Sequence, residues 1–263
     1  MKIGITQLLL GNMSLDRVLE LCQVAGYEAV ELTFGEDRNM DVNMNRSDIR
    51  RVGDKCAAAG IEISSIIANY HDGGNLLSLD AAQRERASRS VIRSLEIAGT
   101  LGVGAILLHP GQLSVEGTYQ VVWDNLVGVL KDLAPGAEAN GAVIAIENVW
   151  NRFLLSPKEM REFIDCVGSE SVGVYLDTAN MMAYGYAEHW IRGLGSRIKR
   201  VHFKDFKCRE HQFVNLLDGD TDWLAVMREL RAIDYSEPLI HEVAGDWEAQ
   251  IDIAKRMRQI VAL

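Results

Sequence analysis

The chain has 263 residues, 48% hydrophobic and 24% charged, enough to bury a substantial core without staples. Lys and Arg number 27 against 37 Asp and Glu, a formal charge of −10 with no basic block, so a surface for nucleic acid or anionic lipid is not expected. The four cysteines, Cys22, Cys56, Cys166 and Cys208, lie far apart and form no CxxC pair. Neither a zinc knuckle nor a disulfide framework is expected, and a reducing, cytoplasmic setting fits.

The first residues, MKIGITQLLLGN, hold too short an apolar run for a signal peptide and read as a first strand. No later run approaches the ~20 apolar residues that span a bilayer. From there, short β-rich runs alternate with longer segments of helical spacing. The expected strands are 2–7, 28–34, 62–68, 104–109, 142–147, 172–177, 198–203 and 238–243. Several, such as Ala105-Ile106-Leu107-Leu108 and Val143-Ile144-Ala145-Ile146, are nearly continuous apolar runs, as parallel strands covered on both faces are.

Helical signals fill the intervals. Leu15, Val18, Leu19 and Cys22 fall at i, i+3, i+4 and i+7, with Ser14 placed as N-cap. Val91, Leu95 and Ala98 mark the inner face of a long helix from about Asp80. Ser156-Pro157-Lys158-Glu159 combines a Ser cap, Pro at the first helical position and Glu three residues after the cap. Asp218-Gly219-Asp220-Thr221-Asp222 reads as a loop ending in an N-cap for a helix at Trp223. Trp247, Ile251, Ala254 and Val261 stripe the last helix, and Gly26, Gly60 and Gly141 sit where C-terminal caps belong. Eight βα units without a long linker predict an α/β fold, a (β/α)₈ TIM barrel forming a single domain over 1–263. A doubly wound sheet is the alternative, but no GxGxxG follows the first strand.

In a barrel of this kind, chemistry gathers where the strands end. The later strands end in His109, Glu147, Asp177, His202 and Glu242, and the third leads into Asn69-Tyr70-His71. Singly, each carboxylate reads equally well as a helix cap. Together, Glu147, Asp177, His202 and Glu242 aim three carboxylates and an imidazole at one point from four consecutive strands. Carboxylates that close repel one another unless a cation sits between them. The donor set predicts one divalent metal ion, Mn²⁺ first, with Mg²⁺, Co²⁺ or Zn²⁺ as alternatives.

These strand ends, with the segments IENVWNRF (146–153), VYLDTANMMAYG (174–185), RVHFKD (200–205) and FVNLLDGDTDW (213–223), resemble the xylose isomerase-like TIM barrels over essentially the whole chain. That superfamily includes ketose 3-epimerases, pentulose-5-phosphate 3-epimerases, hydroxypyruvate isomerase and endonuclease IV. The resemblance implies that Glu147, Asp177, His202 and Glu242 hold the metal and that Glu147 and Glu242 form an acid/base pair. Asn151-Arg152-Phe153 resembles an element of the tagatose 3-epimerase group, but Leu154 stands where that group has a glutamate. Asn180 stands where it has a histidine, a pattern closer to the pentulose-phosphate epimerases.

The resemblance implies a divalent-metal-dependent sugar isomerase or epimerase, most simply one inverting C3 of a ketose or ketose phosphate. It also implies a homodimer or homotetramer. Removing a proton next to a carbonyl requires stabilising an enediolate, and two carboxylates on opposite faces could take and return that proton. His71, His109, Trp150, Asn180, Lys204 and Arg209 are the expected substrate contacts, with Lys204, Arg209 and His71 nearest to any anionic group. Aldose–ketose isomerisation of the hydroxypyruvate type could use the same apparatus. An endonuclease IV-like activity would need a histidine after Asp177, where Asn180 stands, and an Asp-x-His after strand seven, which the chain lacks. A non-enzymatic, sugar-sensing barrel would predict a broken quartet, and the quartet is intact.

Overall fold

The apolar strands need cover on both faces, and the chain supplies it by following each barrel strand with a helix. The structure, a computed structural model, describes residues 1–263. In chain order the elements are β1 (Ile3–Thr6), α1 (Leu15–Ala25), β2 (Ala29–Gly35), α2 (Arg46–Ala58), β3 (Glu62–Asn69), α3 (Ala81–Leu101), β4 (Ala105–Leu108) and α4 (Tyr119–Ala139). Then come β5 (Val143–Glu147), α5 (Pro157–Val167), β6 (Val172–Asp177), α6 (Ala187–Leu194), β7 (Ile198–Phe203), β8 (Asp205–Lys207), β9 (Gln212–Val214), α7 (Trp223–Ala232), β10 (Leu239–His241) and α8 (Trp247–Val261). Eight strands close a barrel in the order β1-β10-β7-β6-β5-β4-β3-β2, and every pair in it is parallel. The expected (β/α)₈ barrel is the observed one.

The helix boundaries follow their caps. Ser14, Asp80, Ser156, Asp222 and Asp246 each accept a backbone N–H from the first turn of the helix they open. Gly26 ends α1 in the left-handed region at φ 76°, where a side chain would be strained. One face of each helix joins a continuous core with the outward-facing strand residues.

Two features depart from the sequence reading. The barrel seam is uneven: β3 and β4 share a single ladder pair, Ile66 with Ile106, whereas every other neighbouring pair shares at least three. Above that point the Ala68 N–H donates to Ser94 Oγ of α3 at 3.1 Å, so a serine hydroxyl does the work of a strand carbonyl. Second, β8 and β9 form an antiparallel hairpin beyond β7, from 205 to 214. Three-residue strands are too short to show a period-2 pattern.

What holds the segment after β7 is one buried carboxylate. Asp205 accepts N–H groups from Phe206 (2.9 Å), Leu217 (2.9 Å), Gly219 (3.2 Å) and Thr221 (3.3 Å), and from the Trp223 indole (3.1 Å). A Cβ at Gly219 would lie 2.1 Å from Asp205 Oδ1, so only glycine fits there. Asp205→Ala strands these donors in a water-poor site, and a loss of at least about 3 kcal/mol is expected, since each buried unmet donor costs roughly 1–3 kcal/mol. Denaturant unfolding checks this; an unchanged midpoint would remove Asp205 from that role.

Candidate metal and active site

Parallel strands all present their C-terminal ends on one side, so residues at those ends converge. Glu147 closes β5, Asp177 closes β6, His202 lies next to last in β7, and Glu242 follows β10 by one residue. One ligand atom from each of the four lies within 4.8 Å of all the others. His202 Nδ1 is 3.1 Å from Glu147 Oε1. Asp177 Oδ1 accepts N–H groups from Ala179 (2.8 Å) and Asn180 (2.7 Å). Asp177 Oδ2 is buried and has no hydrogen-bond partner. An orphaned carboxylate oxygen among two further carboxylates and an imidazole fits a divalent cation, which would satisfy it and offset the repulsion.

The electrostatics describe a site that is costly without such a charge. Burial pushes the Asp177 carboxyl up to about 7, with Glu242 and Glu147 adding to the rise and Lys204 opposing it. Burial also raises Glu147, against the pull of His202. Burial would lower the His202 imidazole, but Glu31 and Glu147 on either side outweigh it and hold the ring well above its ordinary value. The Lys204 ammonium is likewise kept above its ordinary value, because Asp177 and Glu242 outweigh burial.

Sequence reasoning missed two residues that hold this quartet in place. Glu31, from the middle of β2, is fully buried and lies 3.1 Å from His202 Nε2. Thr6 Oγ1 (2.8 Å) and Ser65 Oγ (2.7 Å) donate to its two oxygens. Burial would raise Glu31, yet His202 and these hydroxyls hold it below its ordinary value. A carboxylate on Nε2 leaves Nδ1 to face the other three residues. The clue was a charged residue inside an otherwise apolar strand, Val30-Glu31-Leu32. Asn148 is the second: its Oδ1 accepts from Asp177 N at 2.8 Å and its Nδ2 donates to Asp177 O at 3.0 Å, tying the ends of β5 and β6 together.

Around the quartet opens a cavity of about 550 Å³. It is lined by four of the expected substrate contacts: His109, Trp150, Asn180 and Lys204. Lys204 Nζ donates to Glu242 Oε2 at 2.8 Å, lies 3.9 Å from Asp177 Oδ2 and stands 4.5 Å above the Phe213 ring. Burial lowers His109, and its Nδ1 accepts from Gly111 N at 3.1 Å, so the neutral ring carries its proton on Nε2 as a donor. Trp150 Nε1 donates to Asn180 O at 2.7 Å, and its ring packs on Phe213 at 4.9 Å. The Asn180 amide donates to Asn148 O at 2.9 Å.

His71 and Arg209 lie outside the cavity. His71 is exposed, with Nδ1 3.5 Å from Glu36 Oε2. Arg209 is exposed in the turn of the β8–β9 hairpin.

The description "Xylose isomerase-like TIM barrel" belongs to the family model that matches residues 19–260. The chain belongs to this family. A putative L-ribulose-5-phosphate 3-epimerase, SgbU, of Escherichia coli (strain K12) is 24% identical over 245 residues, covering 88% of this chain and 84% of that protein. A structure of L-ribulose 3-epimerase aligns with TM-score 0.81 at 22% identity, over 99% of this chain and 93% of that one. An IOLI protein crystallised with a bound zinc atom aligns with TM-score 0.83 at 21% identity, over 100% of this chain and 98% of that one.

The Glu31 contact yields a prediction for this member of the family. Carboxylates that orient a ligating imidazole are typically worth about 10–100-fold in metal affinity. Glu31→Gln is expected to weaken Mn²⁺ binding by about that factor in a calorimetric titration, with the stoichiometry unchanged. Equal affinity in the variant and the parent would mean that Glu31 only fills space.

Proposed function

We propose that this protein is a divalent-metal-dependent sugar epimerase that inverts the carbon next to the carbonyl, C3 of a ketose or ketose phosphate. It is an isomerase-class enzyme of sugar chemistry. The observation that carries the proposal is the convergence of Glu147, Asp177, His202 and Glu242 at one end of the barrel. Glu147, Asp177, His202 and Glu242 would hold one ion, Mn²⁺ by preference. When bound, the ion supplies Lewis-acid polarisation of the substrate carbonyl.

The chain's own residues do the rest. β5 and β10 stand three strands apart round the barrel, so Glu147 and Glu242 approach a bound sugar from different sides. One carboxylate takes the proton from C3, and the other delivers a proton to the opposite face. The Lys204 ammonium, donating to Glu242, places positive charge where the enediolate develops. His109 Nε2–H offers a donor to a sugar hydroxyl, and the packed rings of Trp150 and Phe213 line the same cavity. An endonuclease-like reading lacks its ligand set, because Asn180 stands where that reading needs a histidine.

Gln keeps the shape and one oxygen of Glu but cannot accept the proton. Glu147→Gln and Glu242→Gln are each expected to lower net C3 inversion by about 10²–10⁴-fold with metal still bound. One of the two is expected to keep exchanging the C3 hydrogen of one epimer with deuterated solvent, read by NMR. Near-parental inversion in either metal-loaded variant would reduce that glutamate to a ligand. Deuterium entering C1 rather than C3 would make the enzyme an aldose–ketose isomerase.

A further inference from the structure

Glu147, Asp177 and His202 belong to barrel strands, but Glu242 does not. β10 stops at His241, so Glu242 opens the link that runs to α8. Its own N–H donates to Phe203 O of β7 at 3.0 Å. The next N–H, of Val243, goes to a side chain: His241 Nδ1 accepts it at 3.3 Å. The Val243 carbonyl goes to another, Gln250 of α8, whose Nε2 donates to it at 3.1 Å and reaches Gly245 O at 3.4 Å. The backbone that carries Glu242 is therefore held by two side chains where a ladder would otherwise hold it.

These two side chains are tied together through a third. Neighbouring residues leave a strand on opposite sides, and His241 is buried against Tyr27, with ring centroids 5.3 Å apart. The Tyr27 hydroxyl donates to Gln250 O at 2.7 Å and lies 2.9 Å from His241 Nε2. That hydroxyl has one proton, already given to Gln250 O, so His241 Nε2 carries a hydrogen and donates to Tyr27. Nδ1 is then bare, as accepting the Val243 N–H requires. Tyr27 thus selects the tautomer with which His241 holds the peptide after Glu242. The arrangement is wasteful as packing alone. Gln250 is buried and its Oε1 has no hydrogen-bond partner, because the amide is turned to give its N–H groups to the two carbonyls. An aliphatic side chain would fill that place with no polar atom left unmet.

We propose that His241, Tyr27 and Gln250 are positioning residues, a brace that holds Glu242 where it can ligate the ion and exchange a proton with the substrate. The proton part rests on the epimerase reading above, and the ion part rests on the quartet alone. The brace acts through the backbone at 242–243, while Lys204 holds the carboxylate itself at 2.8 Å.

The test uses the parent, His241→Leu, His241→Asn and Tyr27→Phe, each titrated calorimetrically with Mn²⁺ and followed in thermal unfolding. Asn is the informative replacement, because its Oδ1 can accept the N–H two residues on, whereas Leu offers no acceptor. His241→Leu is expected to weaken Mn²⁺ binding by about 10–100-fold, the scale on which groups that orient ligands act, and His241→Asn to stay near the parent. Tyr27→Phe, which frees the ring to carry its proton on Nδ1, is expected to fall between them. With Mn²⁺ saturating and ribulose, xylulose and their 5-phosphates as probes, C3 inversion in deuterated solvent is expected to fall in the same order. Deuterium entry without inversion is expected to persist from one epimer of the pair, because Glu147 still serves its own face. Parental Mn²⁺ affinity in His241→Leu, or losses that follow melting temperature with Asn no better than Leu, would overturn the brace. Equal loss of exchange from both epimers would overturn its part in proton transfer. Mn²⁺ affinities in the expected order, with no exchange by the parent on any probe, would keep the brace and count against the epimerase reading alone.

Discussion

Three carboxylates share one buried end of this barrel, and most of the molecule's polar architecture answers that constraint. Fully buried Asp177 keeps one oxygen without any hydrogen-bond partner, and Glu147 is nearly as enclosed. Bringing negative groups within 4.8 Å of one another in a medium of low dielectric is costly unless positive charge is supplied. The chain supplies part of it through Lys204 and His202, each held above its ordinary pKa by the carboxylates it faces. A divalent ion would supply the remainder.

The supporting residues make sense in that light. Glu31 beneath His202 sets which ring nitrogen faces the other three residues of the quartet, and Thr6 and Ser65 hold Glu31 in turn. Tyr175 closes the same buried network, with its hydroxyl 3.2 Å from Ser65 Oγ and its ring 4.3 Å from that of His202. Asn148 fixes Asp177 through both of its backbone groups. On the solvent side, Asp205 gathers the loop after β7 and so fixes where Lys204 and Phe213 stand over the cavity. Each support is a polar group placed where an apolar one would pack, and each is satisfied.

Much of this was legible in the chain. Continuous apolar runs alternating with capped helices are what a parallel barrel requires, and the strand-end rule then singled out Glu147, Asp177, His202 and Glu242. What stayed hidden depends on three-dimensional register. Glu31 is 171 residues from His202, and nothing local to β2 says that its side chain points into the barrel beneath an imidazole. The β3–β4 gap depends on how far two strands stay paired, which periodicity does not report. His71 and Arg209 looked like anion contacts because they follow strands three and seven. His71 instead lies exposed beside Glu36 and Asp37, and the hairpin carries Arg209 to its exposed turn.

The central claim is that the quartet needs a cation, and proton linkage offers the most direct test. In the metal-free fold burial pushes the Asp177 carboxyl up to about 7 from its ordinary 3.8. Between those values the folded chain keeps a proton that the unfolded chain has lost, so this group's contribution to stability falls as pH rises through the window. A bound ion reverses the sign, because it requires the ionised carboxylate. Thermal unfolding of the metal-free protein with and without Mn²⁺, at pH 6 and pH 8, separates the two behaviours. The account predicts stabilisation by one ion per chain, larger at pH 8 than at pH 6 and largely lost in Asp177→Asn. No stabilisation at either pH, or stabilisation equal at both and indifferent to Asp177→Asn, would contradict it.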